Sequence, residues 1–161
     1  MSAYIQFFIR GGNVFYPIAT HNRGTAIYEK FQDNFPNLWE TIVPVTNELL
    51  NKVMIDVRAS VDDFYEGIHS YETKIEEVRK LENTSIEERM DFINEYMEMK
   101  NVYRQRIAEL ERCSFFIDML HDMIDEAEDT KYYDTIETID KNDYVYVGIE
   151  VGIPTVDMIK E

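Results

Sequence analysis

The chain has 161 residues, and its 32 acidic and 16 basic residues give a net charge of −16 at pH 7. This charge argues against direct binding of nucleic acid or of an anionic membrane through the overall field. The length suits one domain with its own core, over residues 1–161. The single cysteine, Cys113, excludes an internal disulfide. No segment has the features of a signal peptide or a transmembrane helix, so we expect a soluble cytoplasmic protein.

The N-terminal segment predicts a β-hairpin followed by a short helix. AYIQFFI and VFYPI are rich in strand-forming residues, and the RGGN between them is typical of a turn. Thr25 can cap a helix over AIYEKFQDNF, which Pro36 would end.

Two long antiparallel helices are predicted next. Apolar residues of the first recur at alternating spacings of four and three, the pattern of a coiled-coil seam: Leu50, Met54, Val57, Val61, Phe64, Ile68, Tyr71, Ile75 and Val78. Thr46 can cap this helix, and either Thr84 or Ser85 can begin the second with a capping box. The second apolar stripe is broader and includes Ile86, Ile93, Tyr96, Tyr103, Ile107, Leu110, Ile117, Leu120 and Ile124. We expect residues at about 58–108 to project as a helical-hairpin arm.

The C-terminal segment returns to the period of two that is typical of strands. YDTIETID and YVYVGIEV predict a second hairpin, with Val145, Val147, Ile149 and Val151 on one face. The predicted fold class is therefore α+β: a small antiparallel sheet from N- and C-terminal β-hairpins, with the short helix and the long helical hairpin.

An aromatic set is expected on the sheet face away from the helices. It comprises Tyr4, Phe8, Phe15, Tyr144 and Tyr146. Two readings stay open for it. It forms an exposed interaction surface, or it covers a second small core made with the short helix and the linker around Trp39.

The histidines do not predict a metal site. Glu66-x-x-His69 and Asp118-x-x-His121 have the spacing of di-iron ligands, but they should lie about 27 Å apart along the antiparallel helices. They cannot share a metal, and we expect neither a metal nor another cofactor.

One basic corner could bind an anion. Arg10, His21 and Arg23 lie near turns, and Arg23 shortly precedes the start of the short helix, where a phosphate or carboxylate could bind. An enzyme using this anion site is our third hypothesis. No nucleophile has a histidine and a carboxylate at local spacing, so we favour a protein that is not an enzyme.

Acidic residues are concentrated near the end of the second long helix, in DMLHDMIDEAED. Asp118, Asp122, Asp125 and Asp129 fall within an arc of about 60° on that helix. The opposite side holds apolar residues, namely Phe116, Leu120, Met123, Ile124 and Ala127. A solvated face is the ordinary explanation. However, no lysine or arginine lies between Arg112 and Lys131, and acids near a helix C-terminus oppose its dipole.

The charge density of this segment suggests a cationic partner. Six acids span about 16 Å, or roughly one charge per 3 Å, which is comparable to the phosphates of one strand of B-DNA. The leading hypothesis is a non-enzymatic, nucleic-acid-mimicking inhibitor or adaptor, of the kind that a phage or mobile element could encode. It would engage a basic surface of a nucleic-acid-handling protein. The predicted partner-binding residues are Asp118, Asp122, Asp125, Glu126, Glu128, Asp129, Asp134 and Glu137. The alternative is a structural coiled-coil protein that pairs with another copy or with a second protein.

Overall fold

The computed structural model describes residues 3–127 and 140–160, and it confirms the α+β fold class. The strands are β1 (Tyr4–Gly11), β2 (Val14–Asn22), β3 (Val43–Pro44) and β4 (Val145–Ile149). The helices are α1 (Ala26–Asn34), α2 (Asn47–Arg79) and α3 (Ile86–Ala127), with short 3₁₀ turns at Lys141–Asp143 and Val156–Met158. Within the described ranges, no helix is both long and apolar enough to cross a membrane.

Side-chain caps begin the three helices where the sequence predicts them. The hydroxyl oxygens of Thr25, Thr46 and Ser85 each accept a hydrogen bond from the backbone N–H three residues later, at 3.2, 3.2 and 3.1 Å. Each bond satisfies one of the helix N–H groups that has no partner within the helix. Of the two predicted starts for α3, Ser85 provides the cap.

The four strands form one antiparallel sheet in the order β2-β1-β4-β3. The predicted N-terminal hairpin is confirmed as β1 and β2, and β4 confirms the last predicted strand. The two-residue strand β3 was not predicted, because its segment reads as a linker that contains Pro44. The other predicted strand, YDTIETID, spans 133–140, and all but its last residue lie outside the described residues.

Each face of the sheet is covered by a different layer. On one face, the Phe7 ring lies 4.9 Å from that of Phe31 in α1 and 4.8 Å from that of Phe116 in α3. The other face carries a second cluster of buried residues: Phe8, Phe15, Ile42, Tyr146 and Val151, with Met158 and Ile159 packed against it. The interpretation of the aromatic set as part of a second small core is therefore confirmed for Phe8, Phe15 and Tyr146. Its cover comes from the segment around Ile42 and the chain after β4, and not from α1.

The prediction for Val151 is wrong. β4 ends at Ile149, and Glu150 then adopts a left-handed backbone with φ 55°. This turn interrupts the alternation of a strand, so Val151 packs in the same cluster as Tyr146 instead of sharing a face with Val147.

The chain divides into two compact units. The sheet unit comprises Met1–Asp56 and Cys113–Glu161, and the hairpin unit comprises Val57–Arg112. In the hairpin unit α2 and α3 run antiparallel, with Ile75, Val78 and Ile93 forming a buried cluster. The α2 seam is confirmed, since its residues are buried or half-buried, but Ile86 is 71% exposed and does not belong to the α3 stripe. One domain with an arm at about 58–108 stays a prediction.

The close approach around Gly148 gives a test of this fold. A Cβ at this position in β4 would overlap the backbone carbonyl oxygen of Thr41 and the side chain of Val151. We expect Gly148→Ala to lower the free energy of unfolding by about 3 kcal/mol or more, because the carbonyl belongs to the backbone and cannot rotate away. Urea denaturation measures the loss.

Gly12→Ala is the matched control. Gly12 has open space around its Cα and φ +65°, so this change adds only the strain of a left-handed alanine, about 1 kcal/mol. Equal losses in the two variants would contradict the close packing at Gly148.

Candidate functional site

The C-terminal part of α3, from Cys113 to Ala127, presents its acidic residues to solvent. Ile117, Leu120 and Ile124 are fully buried, and this fixes the rotation of the helix. Asp118 and Asp122 consequently point outward and are exposed. The predicted orientation of the acidic side is confirmed for these residues.

Asp125 is tied to the start of α2 by a side-chain bridge. Asn47 donates from Nδ2 to Asp125 Oδ1 at 2.8 Å, and its Oδ1 lies 2.6 Å from Nδ1 of His121. The Asn47 oxygen can only accept, so His121 carries its proton on Nδ1 in this bridge. Asp125 thus stabilises the docking of α3 on α2, and its carboxylate is partly occupied.

The remaining predicted partner-binding residues fall into two groups. Glu126 is exposed one turn after Asp122, on the same side of α3. The others lie outside the described residues, namely Glu128, Asp129, Asp134 and Glu137. The described part of the predicted site is therefore Asp118, Asp122, Asp125 and Glu126.

Two apolar residues on the same side of α3 were missed by the sequence reasoning. Phe115 is 75% exposed and Met119 is 42% exposed. With Asp118, Asp122 and Glu126 they fall within an arc of about 100°, at 100° per residue. Helical spacing could have revealed Phe115, because it precedes Asp118 by three residues and Asp122 by seven, which places the three side chains on one side of the helix.

We call the surface of Phe115, Asp118, Met119, Asp122 and Glu126 the acidic aromatic face. No lysine or arginine occurs between residues 113 and 127. Among the described residues, Asp118 and Asp122 form no salt bridge. An exposed aromatic ring beside exposed carboxylates can bind an apolar pocket that has a cationic rim.

The structure does not bring the predicted anion-binding residues together. Arg10 pairs with Phe15 at the turn end of the β1–β2 hairpin, whereas His21 pairs with Ile5 at the other end. Five residues of strand separate these pairs, about 17 Å. Arg23 is exposed beyond the end of β2.

Arg10 also has partners of its own. Its Nη1 donates to Asp143 Oδ1 at 2.7 Å and lies 3.2 Å from the Tyr146 hydroxyl, and its Nε donates to the Gly12 carbonyl at 2.7 Å. The guanidinium therefore fixes the 3₁₀ turn that precedes β4 to the β1–β2 turn. This contact satisfies its charge inside the sheet unit.

His21 lies against the aromatic layer between the sheet and the helices. Its ring centroid is 6.3 Å from that of Phe7 and 5.1 Å from that of Phe116. Its buried Nε2 has no hydrogen-bond partner among the described residues. Burial lowers the pKa of His21 below its usual value, because the imidazolium would lose hydration in this position.

The thiol of Cys113 is buried. Burial raises the pKa of the Cys113 thiol to about 12, so the nucleophilic thiolate scarcely forms at neutral pH. Within residues 3–127 and 140–160, no three His, Cys, Asp or Glu side chains are grouped so that they could hold a metal ion.

The His21 environment predicts a pH dependence of stability. The unfolded state binds the His21 proton with the usual pKa near 6.5, and the folded state binds it more weakly. The neutral His21 ring therefore makes its full contribution to the free energy of unfolding well above pH 6.5. That contribution is lost as the pH falls below 6.5, because the unfolded state gains the proton first. His21→Phe keeps the ring packing and removes the proton. We expect the variant to lose less stability than the wild type between about pH 7 and pH 5, measured by urea unfolding. Parallel losses would contradict this origin.

Comparison of the chain with protein-family models, with curated proteins and with solved structures finds no match.

Proposed function

We propose that this protein is a non-enzymatic acidic binding protein that engages the basic groove of a nucleic-acid-handling protein through the acidic aromatic face. The observation that supports this most is the combination at Phe115. A ring that is 75% exposed lies beside Asp118 and Asp122 on a stretch of α3 without any cation. Exposing a phenylalanine forgoes about 1.5–3 kcal/mol of burial free energy. A partner that covers the ring would recover part of this free energy.

The geometry favours mimicry of a single strand over mimicry of a duplex. Asp118, Asp122 and Glu126 follow one another at intervals of four residues, about 6 Å along the helix axis. The axial spacing of these carboxylates is roughly twice that of the phosphates of one B-DNA strand, so they do not match the phosphates of a B-form duplex. Proteins that bind single strands combine a basic groove with aromatic platforms on which the bases stack. Phe115 would occupy the place of a base, and the carboxylates would occupy the places of phosphates.

The basic groove of such a partner would determine the rate of association and its dependence on salt concentration. Long-range attraction between an acidic protein and a basic groove accelerates association and weakens as salt is added. The apolar contact at Phe115 is not screened by salt. The two parts of the face therefore predict separable effects on binding.

The first test removes the carboxylates of Asp118 and Asp122. We expect Asp118→Asn with Asp122→Asn to weaken binding and to flatten its salt dependence, because two charge contacts are lost. Purified enzymes that bind single-stranded DNA or RNA provide the panel. The measurement is competition with a labelled oligonucleotide across a salt series. Asp118 and Asp122 are preferred to Asp125, whose loss would also break the Asn47 bridge.

Asp62→Asn with Asp63→Asn is the matched control. These two residues are exposed on α2 in the hairpin unit, and the double change removes the same charge. If both double variants weaken competition equally, binding depends only on net charge and the proposed face is wrong. Failure of the wild type to compete on any member of the panel would contradict the proposed partner class.

The second test concerns Phe115. We expect Phe115→Ala to weaken binding about tenfold or more without altering the salt dependence, since stacking of one base on an aromatic ring is worth about 1–3 kcal/mol. Stability should hardly change, because the ring is exposed in the free protein. Val102→Ala is the control, since Val102 is also exposed on α3 but belongs to the hairpin unit. Equal effects of the two changes would remove the stacking part of the proposal.

A further inference from the structure

His121 lies at the edge of the acidic aromatic face, on the side next to α2. At 100° per residue it is about 60° around α3 from Asp118 and about 40° from Asp125. Asp118 comes three residues before it and Asp125 four residues after it, so about 5–6 Å separate the Cβ atoms of these neighbours. A change in the charge of His121 therefore acts at short range on the negative field of the face.

The bridge through Asn47 determines which nitrogen of the neutral His121 ring carries the proton. A carboxylate can only accept, so the amide nitrogen of Asn47 must face Asp125, at 2.8 Å. The amide oxygen of Asn47 consequently faces Nδ1 of His121, at 2.6 Å, and Nδ1 is the donor. The lone pair of the neutral ring is therefore on Nε2.

Nε2 of His121 reaches solvent. The ring is half-buried, yet Nε2 does not belong to the buried side-chain atoms without a partner, unlike Nε2 of His21. Within the described part of the chain, no hydrogen bond to it is formed. A proton can consequently be added at Nε2 while Nδ1 keeps its bond to Asn47. The charge of His121 can change without opening the contact between α3 and α2.

The charged groups around His121 come from α3 and from the backbone at the start of α2. The side chain of α2 that bonds the ring, Asn47, is uncharged. The charged residues of α2 that follow it, Glu48 and Lys52, lie about 100° and 140° around that helix from Asn47. The first N–H groups of α2 carry a partial positive charge. Among the described residues no salt bridge includes His121, so the two aspartates act on it through space.

We propose that His121 makes the acidic aromatic face sensitive to pH, so that a basic partner binds more tightly to the neutral ring than to the protonated one. This inference rests on the proposed function, because it concerns the same face. In the neutral ring, Nε2 accepts a hydrogen bond from a lysine or arginine of the partner. In the protonated ring both nitrogens are donors, and the added charge offsets one neighbouring carboxylate.

The size of the effect follows from Coulomb's law. Two unit charges about 7 Å apart in water interact by about the thermal energy RT. Protonation of His121 should therefore lower the local concentration of a singly charged cation about twofold and raise that of an anion about twofold at low salt. The ratio of the two should fall about fourfold. Carboxyl groups ordinarily stay ionised above about pH 5, so histidine is the side chain that changes its charge between pH 8 and 5.5.

NMR of the full chain with a cationic and an anionic soluble paramagnetic probe tests the inference without a partner. The readout is the ratio of the relaxation that the two probes cause at the backbone amides of Asp118 and Asp122, from pH 8 to pH 5.5. We expect the wild-type ratio to fall about fourfold, with the same midpoint as the shifts of the His121 ring protons. His121→Asn keeps a side-chain N–H that can donate to Asn47 and gains no charge, so its ratio should stay constant.

His21→Phe is the control for the other histidine of the sheet unit, and its ratio should fall as in the wild type. A wild-type ratio that stays constant while the His121 signals shift would overturn the inference, as would His121 signals that do not shift in this range. A ratio that falls equally in His121→Asn would overturn it too. The comparison of the two wild-type midpoints needs no variant. No preference for the cationic probe even at pH 8 would instead overturn the proposed function, and this inference with it.

Discussion

Burial of β4 on both of its faces is the constraint on which the sheet unit depends. All five residues of the strand are buried, and it pairs with β1 on one edge and β3 on the other. A strand in this position needs an apolar layer on each side. The helices supply one through Phe31 and Phe116, and the segments around Ile42 and Val151 supply the other. Docking of α3 on the first layer sets the rotation of that helix, and so determines that Phe115 and its acidic neighbours point outward.

Two surfaces of the chain differ in their charge. The acidic aromatic face concentrates negative charge around an exposed ring. The groove between α2 and α3 in the hairpin unit is lined by as many bases as acids, namely Arg79, Lys100, Arg104, Glu72, Glu76 and Glu111. A basic partner therefore gains more from the acidic aromatic face than from the groove.

Local signals predicted most of the fold, and contacts between distant segments accounted for what they missed. The helix caps at Thr25, Thr46 and Ser85 and the α2 seam depend on spacing within a few residues, which the sequence displays directly. The two-residue β3 exists only because β4 lies beside it, and the exchange of faces at Val151 depends on one left-handed residue, Glu150. At the site, periodicity gave the orientation of the acids. It could not show that Asn47 would bind Asp125, or that Arg10 and His21 would lie at opposite ends of a hairpin.

The proposed function requires that α3 hold an accessible aromatic ring within a field of negative charge. Paramagnetic relaxation in NMR, measured with a cationic and then with an anionic soluble probe, tests this claim without presuming a partner. The cationic probe should accelerate relaxation around Phe115 and Met119 far more than the anionic probe does, because the nearby carboxylates attract the first and repel the second. Around the charge-balanced groove near Met97 the two probes should act almost alike. Equal effects of the two probes at Phe115, or a ring that neither probe reaches, would contradict the proposed role of the acidic aromatic face.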